Sequence, residues 1–583
     1  MDTLWSFSTT IRNPERIPGF LTTVAELEGE EWTKETQMKL QALLIKNRLY
    51  VPTPPGLSEA QLEILNDLNH EMTYEEARAI FDSKHYKDAP MRGRTSFDPI
   101  EKMGFVHVID GKIRVSDLGR KYINGEVDFG EVVFRTLLKQ QYPNPLVQGF
   151  GHYNTKPFIN TLRIINEVNR KCKKLNITQK GISREEFGIF VLSLKDYNEI
   201  ENVVDRIINF RQHKDSLGSN EEKKSFVENY INDYLSTFQK PIKNTVEYSD
   251  NMIRILRLTR FIYIRGNGYY IDLEPRRSVE INSILDVDDG SAKDYTKEEW
   301  IIYMSDYNAY PLPWEEPSKL QSILSLLHQE INSLQVELEF SKTDFPIVNT
   351  IEEINEEILK FRILRTELQT SKLKLDFENI SNVDNTIDEL KNIRQLRQKA
   401  SIELERLSTE SLNILNDAIK IKPNYPVGDD NVPTFTAPAR VPDIECEYDS
   451  FESICEVTML TGRDQWFNEG QPVMRHLKEF SVNKGKETYC LFVAPRLHTD
   501  TINTFWYAVK YNYEGIQQKI IPITIDQLIL LLEVAKLRKQ ENNRLTHLEM
   551  KQLFDICTDV EDINSSIEWK SHIDNSIEQW ITV

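Results

Sequence analysis

From about Pro317 to Ile419 the apolar residues recur at helical spacing among Glu, Lys and Gln, as in LQSILSLLHQEINSLQVELEF and DELKNIRQLRQKASIELERL. A run this long at helical period predicts long paired helices and supplies no strand to a sheet. Such helices read as a rigid spacer or arm between the parts that flank them. After the Pro- and Asp-rich loop KPNYPVGDDNVPTFTAPARV the pattern changes to alternating α and β. DIECEYD, ESICEVTML, TYCLFVA and KIIPIT read as strands, and PVMRHLKEFS, TINTFWYAV and IDQLILLLEVAKLRK read as helices. With 583 residues the chain exceeds one core. A multidomain α+β protein is expected.

The N-terminal half carries a third pattern. Helices are expected from Ile17 to Leu27 and from Lys34 to Lys46, followed by GFVHVIDGKIRVSDLGRKYI. There two alternating strands flank Asp110-Gly111, a pair suited to the positive φ angles of a tight I′ turn, and Ser116 caps a short helix. DNMIRILRLTRFIYIRGNGYYIDL repeats the theme as an amphipathic helix and strands around Asn267-Gly268. FINTLRIINEVNRKCKK and SREEFGIFVLSL read as further helices. A hairpin beside helices is the wing of a winged-helix module, so two or three such modules are expected. No sequence repeat of fixed period is visible.

The net charge of −20 argues at first against a nucleic-acid partner. The charge is segregated, however: residues 101–280 total +6 and the remainder −26. A basic middle that grips phosphate, with acidic parts that include metal-binding carboxylates, is compatible with a DNA enzyme. Five cysteines (Cys172, Cys446, Cys455, Cys490, Cys557) form no CxxC and no zinc spacing, and read as small buried hydrophobes in a reducing cytoplasm. No signal-peptide pattern or membrane-length apolar run is present, so a cytoplasmic protein is expected. GxxxxGK and HExxH are absent, against a nucleotide-driven motor or a zinc protease.

Chemistry concentrates in the last region. Pro442-Asp443 opens a strand and Glu456 follows on the next, so two carboxylates on adjacent strands can hold a hard cation such as Mg²⁺. A water on that ion can become a nucleophile while the ion neutralises charge on an attacked phosphate. The PD-(D/E)xK pattern has Lys two residues after its second acid, but here that position is Thr458. Glu469 follows just before Pro472, with Arg475 and His476 beyond. Spacing alone leaves Glu469 equally readable as a helix N-terminal acid favoured by the dipole, and His476 as an ordinary surface or core histidine.

The run PDIECEYDSFESICEVTMLTGRDQWFNEGQPVMRH with TYCLFVAP resembles the catalytic domain of the AlwI family of type IIS restriction endonucleases, which includes large subunits of heterodimeric strand-nicking enzymes. NPERI, RGRTSFDPIEKMGFVHV with IRVSDLGRKY, LLKQQYP and LRLTRFIYIRGNGYYIDLEP resemble the family in order and spacing, so nearly the whole chain is covered. The resemblance implies winged-helix-like DNA-recognition subdomains over 1–150 and 151–310, a helical linker over 311–405, and a PD-(D/E)xK-like nuclease domain over 406–583. It carries the family's catalytic acids onto Asp443, Glu456 and Glu469, its histidine onto His476, and a further glutamate onto Glu410 in STESLNIL, across a loop of different length. The family looks the same at Thr458.

The implied activity is Mg²⁺-dependent cleavage of double-stranded DNA a few nucleotides from a short asymmetric site. Metal is assigned to Asp443 and Glu456. Arg92 and Arg94, and Arg254 and Arg257 on one helix face, are candidates for guanine or phosphate contacts, with solvated surface cations as the alternative. Lys171, Lys173 and Lys174 fit phosphate or water. Two rivals remain open: a strand-specific nicking large subunit that needs a small catalytic subunit or transient dimerisation for the second strand, and a non-catalytic DNA-binding regulator.

Overall fold

The computed structural model describes the chain except residues 1, 8–13, 15, 67–69, 71, 266–269, 378, 416, 435, 438–440, 483 and 581–583. Asn267-Gly268 and part of NPERI thus lie outside the described residues. Two compact units are present: residues 1–327 with 346–359, and residues 328–345 with 360–583.

In the first unit, α1 (Arg16–Ala25) and α2 (Lys34–Lys46) precede a helical pair, α3 (Glu59–Asn66) and α4 (Tyr74–Ser83), and then α5 (Ala89–Lys102). The hairpin β1 (Val106–Ile109) and β2 (Lys112–Val115) follows, with Ile109 paired to Lys112 around Asp110-Gly111, both at positive φ. That is the tight turn the dipeptide predicts. Residues 29–32 extend this hairpin: Ile113 N donates to Glu30 O (3.0 Å) and Trp32 N to Gly111 O (2.7 Å). Next come α6 (Asp117–Ile123), capped by Ser116, and α7 (Phe129–Lys139), capped by Asp128.

The same order then recurs. It runs α8 (Pro157–Lys174), β3 (Ile182–Ser183), α9 (Arg184–Glu186) continued by a π-helical turn at Phe187–Val191, α10 (Ile200–Ser216), α11 (Asn220–Tyr234), α12 (Pro241–Leu258), β4 (Ile262–Arg265) and β5 (Tyr270–Leu273). Each copy reads helix, short strand, helix, two inserted helices, helix, hairpin. In the second copy the sheet order is β3-β5-β4. SREEFGIFVLSL therefore is not one regular helix; it breaks into a capped turn and a π-helical turn. In both copies a glycine sits where the helix before the insertion crosses the helix that precedes the hairpin, α2 with α5 and the π-helical turn with α12. A Cβ on Gly93 would overlap Gln37 O, and one on Gly188 would meet Thr245 O and Ser249 Oγ. The unit continues through α13 (Ser278–Val287) and α14 (Lys297–Ser305).

The chain passes between the units within α15 (Pro317–Glu337) and α16 (Ile351–Asp376). It continues through α17 (Ile380–Asn392) and α18 (Ala400–Leu415). The expected connector 311–405 is divided differently by the structure. Val383, Ile387, Leu390, Leu404 and Leu407 are part of the second unit's hydrophobic core, because the apolar faces of α17 and α18 are covered there.

The second unit is built on a five-stranded sheet in the order β10-β9-β8-β7-β6. Its strands are β6 (Lys420–Pro423), β7 (Ile444–Glu447), β8 (Phe451–Val457), β9 (Glu487–Ala494) and β10 (Ile520–Thr524). The pairs β6–β7 and β7–β8 are antiparallel, whereas β8–β9 and β9–β10 are parallel. Around it lie α19 (Arg463–Val482), α20 (Thr499–Tyr511), α21 (Ile525–Gln540), α22 (His547–Thr558) and α23 (Ser566–Trp580). The first residues of β8 through Glu456 are all buried, as expected for a strand with neighbours on both edges. All five cysteines are buried and free. Among the described residues no helix is long and apolar enough to cross a membrane.

Candidate active site

Strand register brings the first two acids together. Ile444 pairs with Cys455, so one step further along the antiparallel ladder sets Asp443 across from Glu456. Val457 N donates to Asp443 Oδ2 (2.8 Å), and the Asp443 backbone N–H in turn hydrogen-bonds the Glu456 carboxyl. This reciprocal clasp forms at the end of β8, where Glu456 is 5% exposed.

The third acid comes from α19, and its setting corrects an expectation. The helix starts at Arg463, with Pro472 inside it. Glu469 is thus well within the helix, not a first-turn acid placed by the dipole. Its carboxyl hydrogen-bonds Thr458, the residue at the position of the missing Lys. His476 lies seven residues on, about two turns along the same face. Its Nδ1 is 2.7 Å from Glu456 Oε1, while its Nε2 is buried without a hydrogen-bond partner.

The further glutamate expected at Glu410 is held by partners on α18 and α17. Its carboxyl is taken by Arg406 Nη1 (2.5 Å) and Thr386 Oγ1 (3.1 Å). Glu405, five residues earlier on α18 and so about 140° around the helix, is 4% exposed and close enough to act electrostatically on Glu456. It also accepts Ala437 N (2.9 Å). Helical phase, counted back from Glu410, is the signal that could have found Glu405.

The electrostatics are those of crowded, desolvated acids. Burial, then the neighbouring Glu456 charge, pushes the Asp443 carboxyl well above the usual range. Burial, then Glu469, does the same to Glu456, and burial raises Glu469. His476 is driven the other way, to about 4, by burial and then by Arg475. Arg475 is a nearby cation, and its charge favours ionised Glu456. Among the described residues, no group of three or more His, Cys, Asp or Glu side chains is placed so that it could hold a metal ion.

The arginines lie in the first unit. Arg92 and Arg94 are exposed on the first turns of α5. The Arg92 guanidinium lies 4.5 Å from the Tyr86 ring centre, and Arg94 bonds Gln37 Oε1 (3.0 Å) and Asp88 Oδ2 (2.9 Å). Arg254 and Arg257 are half-buried on α12, Arg254 paired with Asp250 (3.0 Å). Lys171 is paired with Asp205. Lys173 and Lys174 complete the last turn of α8.

A search of curated protein sequences finds no significant match. Among solved structures, the chain is similar to the small subunit of the heterodimeric restriction endonuclease R.BspD6I at 21% identity and a TM-score of 0.29, over 34% of this chain and 98% of that one. The sequence model for the AlwI restriction endonuclease matches residues 101–531, a span holding α12 and the acids Glu405, Glu410, Asp443, Glu456 and Glu469. With well over half of its length matched, the chain belongs to the AlwI restriction endonuclease family.

Proposed function

We propose that this protein is a sequence-specific, Mg²⁺-dependent DNA endonuclease of the type IIS kind. Its first unit binds a short asymmetric site, and its second hydrolyses phosphodiester bonds a few nucleotides downstream. The observation that carries the reading is the clasped pair Asp443 and Glu456 at the end of a mixed sheet, raised by burial and by acids around it. Buried carboxylates in such a set need either protons or a cation. Oxygen-only donors suit Mg²⁺, which is held by one or two carboxylates and keeps several waters. When bound there, the ion supplies positive charge to the attacked phosphate and lowers the pKa of a water.

The side chains do the rest. With a cation bound and Glu456 ionised, that carboxylate would accept from His476 Nδ1 and leave the Nε2 lone pair free. Burial keeps the ring neutral, so Nε2 carries no proton and is available to hydrogen-bond or position a water. Thr458 holds Glu469 in place beside Glu456.

For recognition, the two helix–hairpin copies are read as winged-helix-like modules, with α5 and α12 as the base-contacting helices. Arg92, Arg94, Arg254 and Arg257 lie on these helices. The test is purified full-length chain on supercoiled plasmid, with Mg²⁺ or with chelator, followed by run-off sequencing of the products. Metal-dependent cutting at one offset from a common site is expected. Linear product marks a complete restriction enzyme and open circles alone a nicking large subunit. Specific binding with no cut under any divalent metal would overturn the nuclease reading.

A further inference from the structure

Helix α7 is locked at both ends to the two arginine-bearing helices. At its start, Gly130 lies against the last residue of α12, where a Cβ would sit 2.6 Å from Leu258 O. One turn on, Phe134 stacks on Phe261 just past α12, with ring centres 4.4 Å apart. At its other end Thr136 Oγ1 donates to Met103 O (2.9 Å) and Gln140 Nε2 to Lys102 O (2.5 Å). Those are last-turn carbonyls of α5, which no intrahelical N–H can satisfy. Lys139 Nζ fills the same need for α14, donating to Met304 O and Asp306 O at 2.7 Å each. Thr136 and Lys139 are 0% exposed. Buried polar side chains that serve another helix's end carbonyls are costly to lose and fix that end in place.

We propose that α7, a rod of about 16 Å, is a spacer that sets the separation and phase of α5 and α12 on DNA, and that Thr136 and Lys139 are positioning residues for sequence discrimination although they touch no base. The inference rests on the reading of α5 and α12 as base-contacting helices. Two modules bound to one rod must both be in register at the site. A mismatch under either then weakens the whole complex. Loosening one end lets each module settle alone, so discrimination falls while the phosphate grip remains.

The experiment measures cognate binding against binding to sites changed at one base pair, together with the salt dependence, for the full-length wild type, Thr136→Val, Lys139→Met and Gly130→Ala. Thr136→Val keeps the shape of the side chain and removes only its hydrogen bond, so it stays informative if Lys139→Met fails to fold. The expected result is a cognate-to-variant ratio reduced about tenfold or more, with non-specific affinity and salt slope unchanged. A lowered melting temperature with the wild-type ratio retained would show that α7 is structural only, and would overturn the spacer alone. A wild-type chain without sequence preference would overturn the recognition reading as well.

Discussion

His476 Nδ1 lies 2.7 Å from Glu456 Oε1, joining the middle of α19 to the end of β8 inside a pocket of acids. The contact ties ring orientation to carboxylate charge. Replacing His476 by Ala is expected to lower cleavage by about 10²-fold or more. Binding should be intact. Single-turnover rates on pre-bound DNA check this, and an unchanged rate would remove the histidine from the mechanism.

Asp443→Asn and Glu456→Gln keep shape and remove charge from a site where burial and neighbouring acids already oppose it. Cleavage is expected to fall by at least about 10²- to 10³-fold. Melting temperature without metal should hold or rise, since sites built for function are often destabilised. Rates and melting curves on the same preparations decide it: a folded variant that cuts normally in Mg²⁺ refutes the site.

The two glutamates of α18 should behave differently. Glu405→Gln is expected to impair cleavage strongly, because its charge reaches Glu456. Glu410→Gln, whose partners are Arg406 and Thr386, should act mainly on stability. Equal losses of rate with unchanged melting would contradict the placement of α18.

Replacing Arg254 or Arg257 by Ala is expected to cost about 1 to 3 kcal/mol if the guanidinium reads a guanine, with specificity relaxed at one base pair. Selection of binding sites from a random library measures it. A loss uniform over all sequences would mark a phosphate contact instead.

Burial lowers the Lys139 ammonium from 10.5 to about 7. Between those values the folded chain binds fewer protons than the unfolded one, so this group makes stability rise with pH across that window and fall as pH drops toward 7. The slope of melting temperature against pH should be steeper in the wild type than in Lys139→Met. Parallel curves would show that the amine keeps its ordinary pKa.

Four of the five strands of the second unit were legible because apolar runs bounded by turn residues are a local signal, and the adjacency of Asp443 and Glu456 followed from two of them; β6 escaped because its last residues begin the Pro-rich stretch that reads as a loop. Asp110-Gly111 was legible for a similar reason, since its positive φ angles are a property of the dipeptide. What escaped depends on distant packing. Pro472 suggested a helix start, yet α19 begins at Arg463 because Gln465, Val473 and Met474 are buried on one continuous helix. The choice between Glu405 and Glu410 turns on which face of α18 meets the sheet, and alignment across a loop does not encode that. The repeated topology of the first unit was hidden because its two copies share backbone order and not sequence. In the second copy the middle helix is cut short by a π-helical turn.

Gly93 and Gly188 limit how such a chain can be re-engineered. At each crossing two backbones approach so closely that a single added methyl group would have to force the helices apart. On the proposed reading of α5 and α12 as base-contacting helices, libraries aimed at new target sequences can vary their outward residues, but they should leave these two positions untouched. If the modules dock on DNA as proposed, a substitution there would distort the module that carries α5 or α12, and it would be scored as lost affinity for every sequence at once.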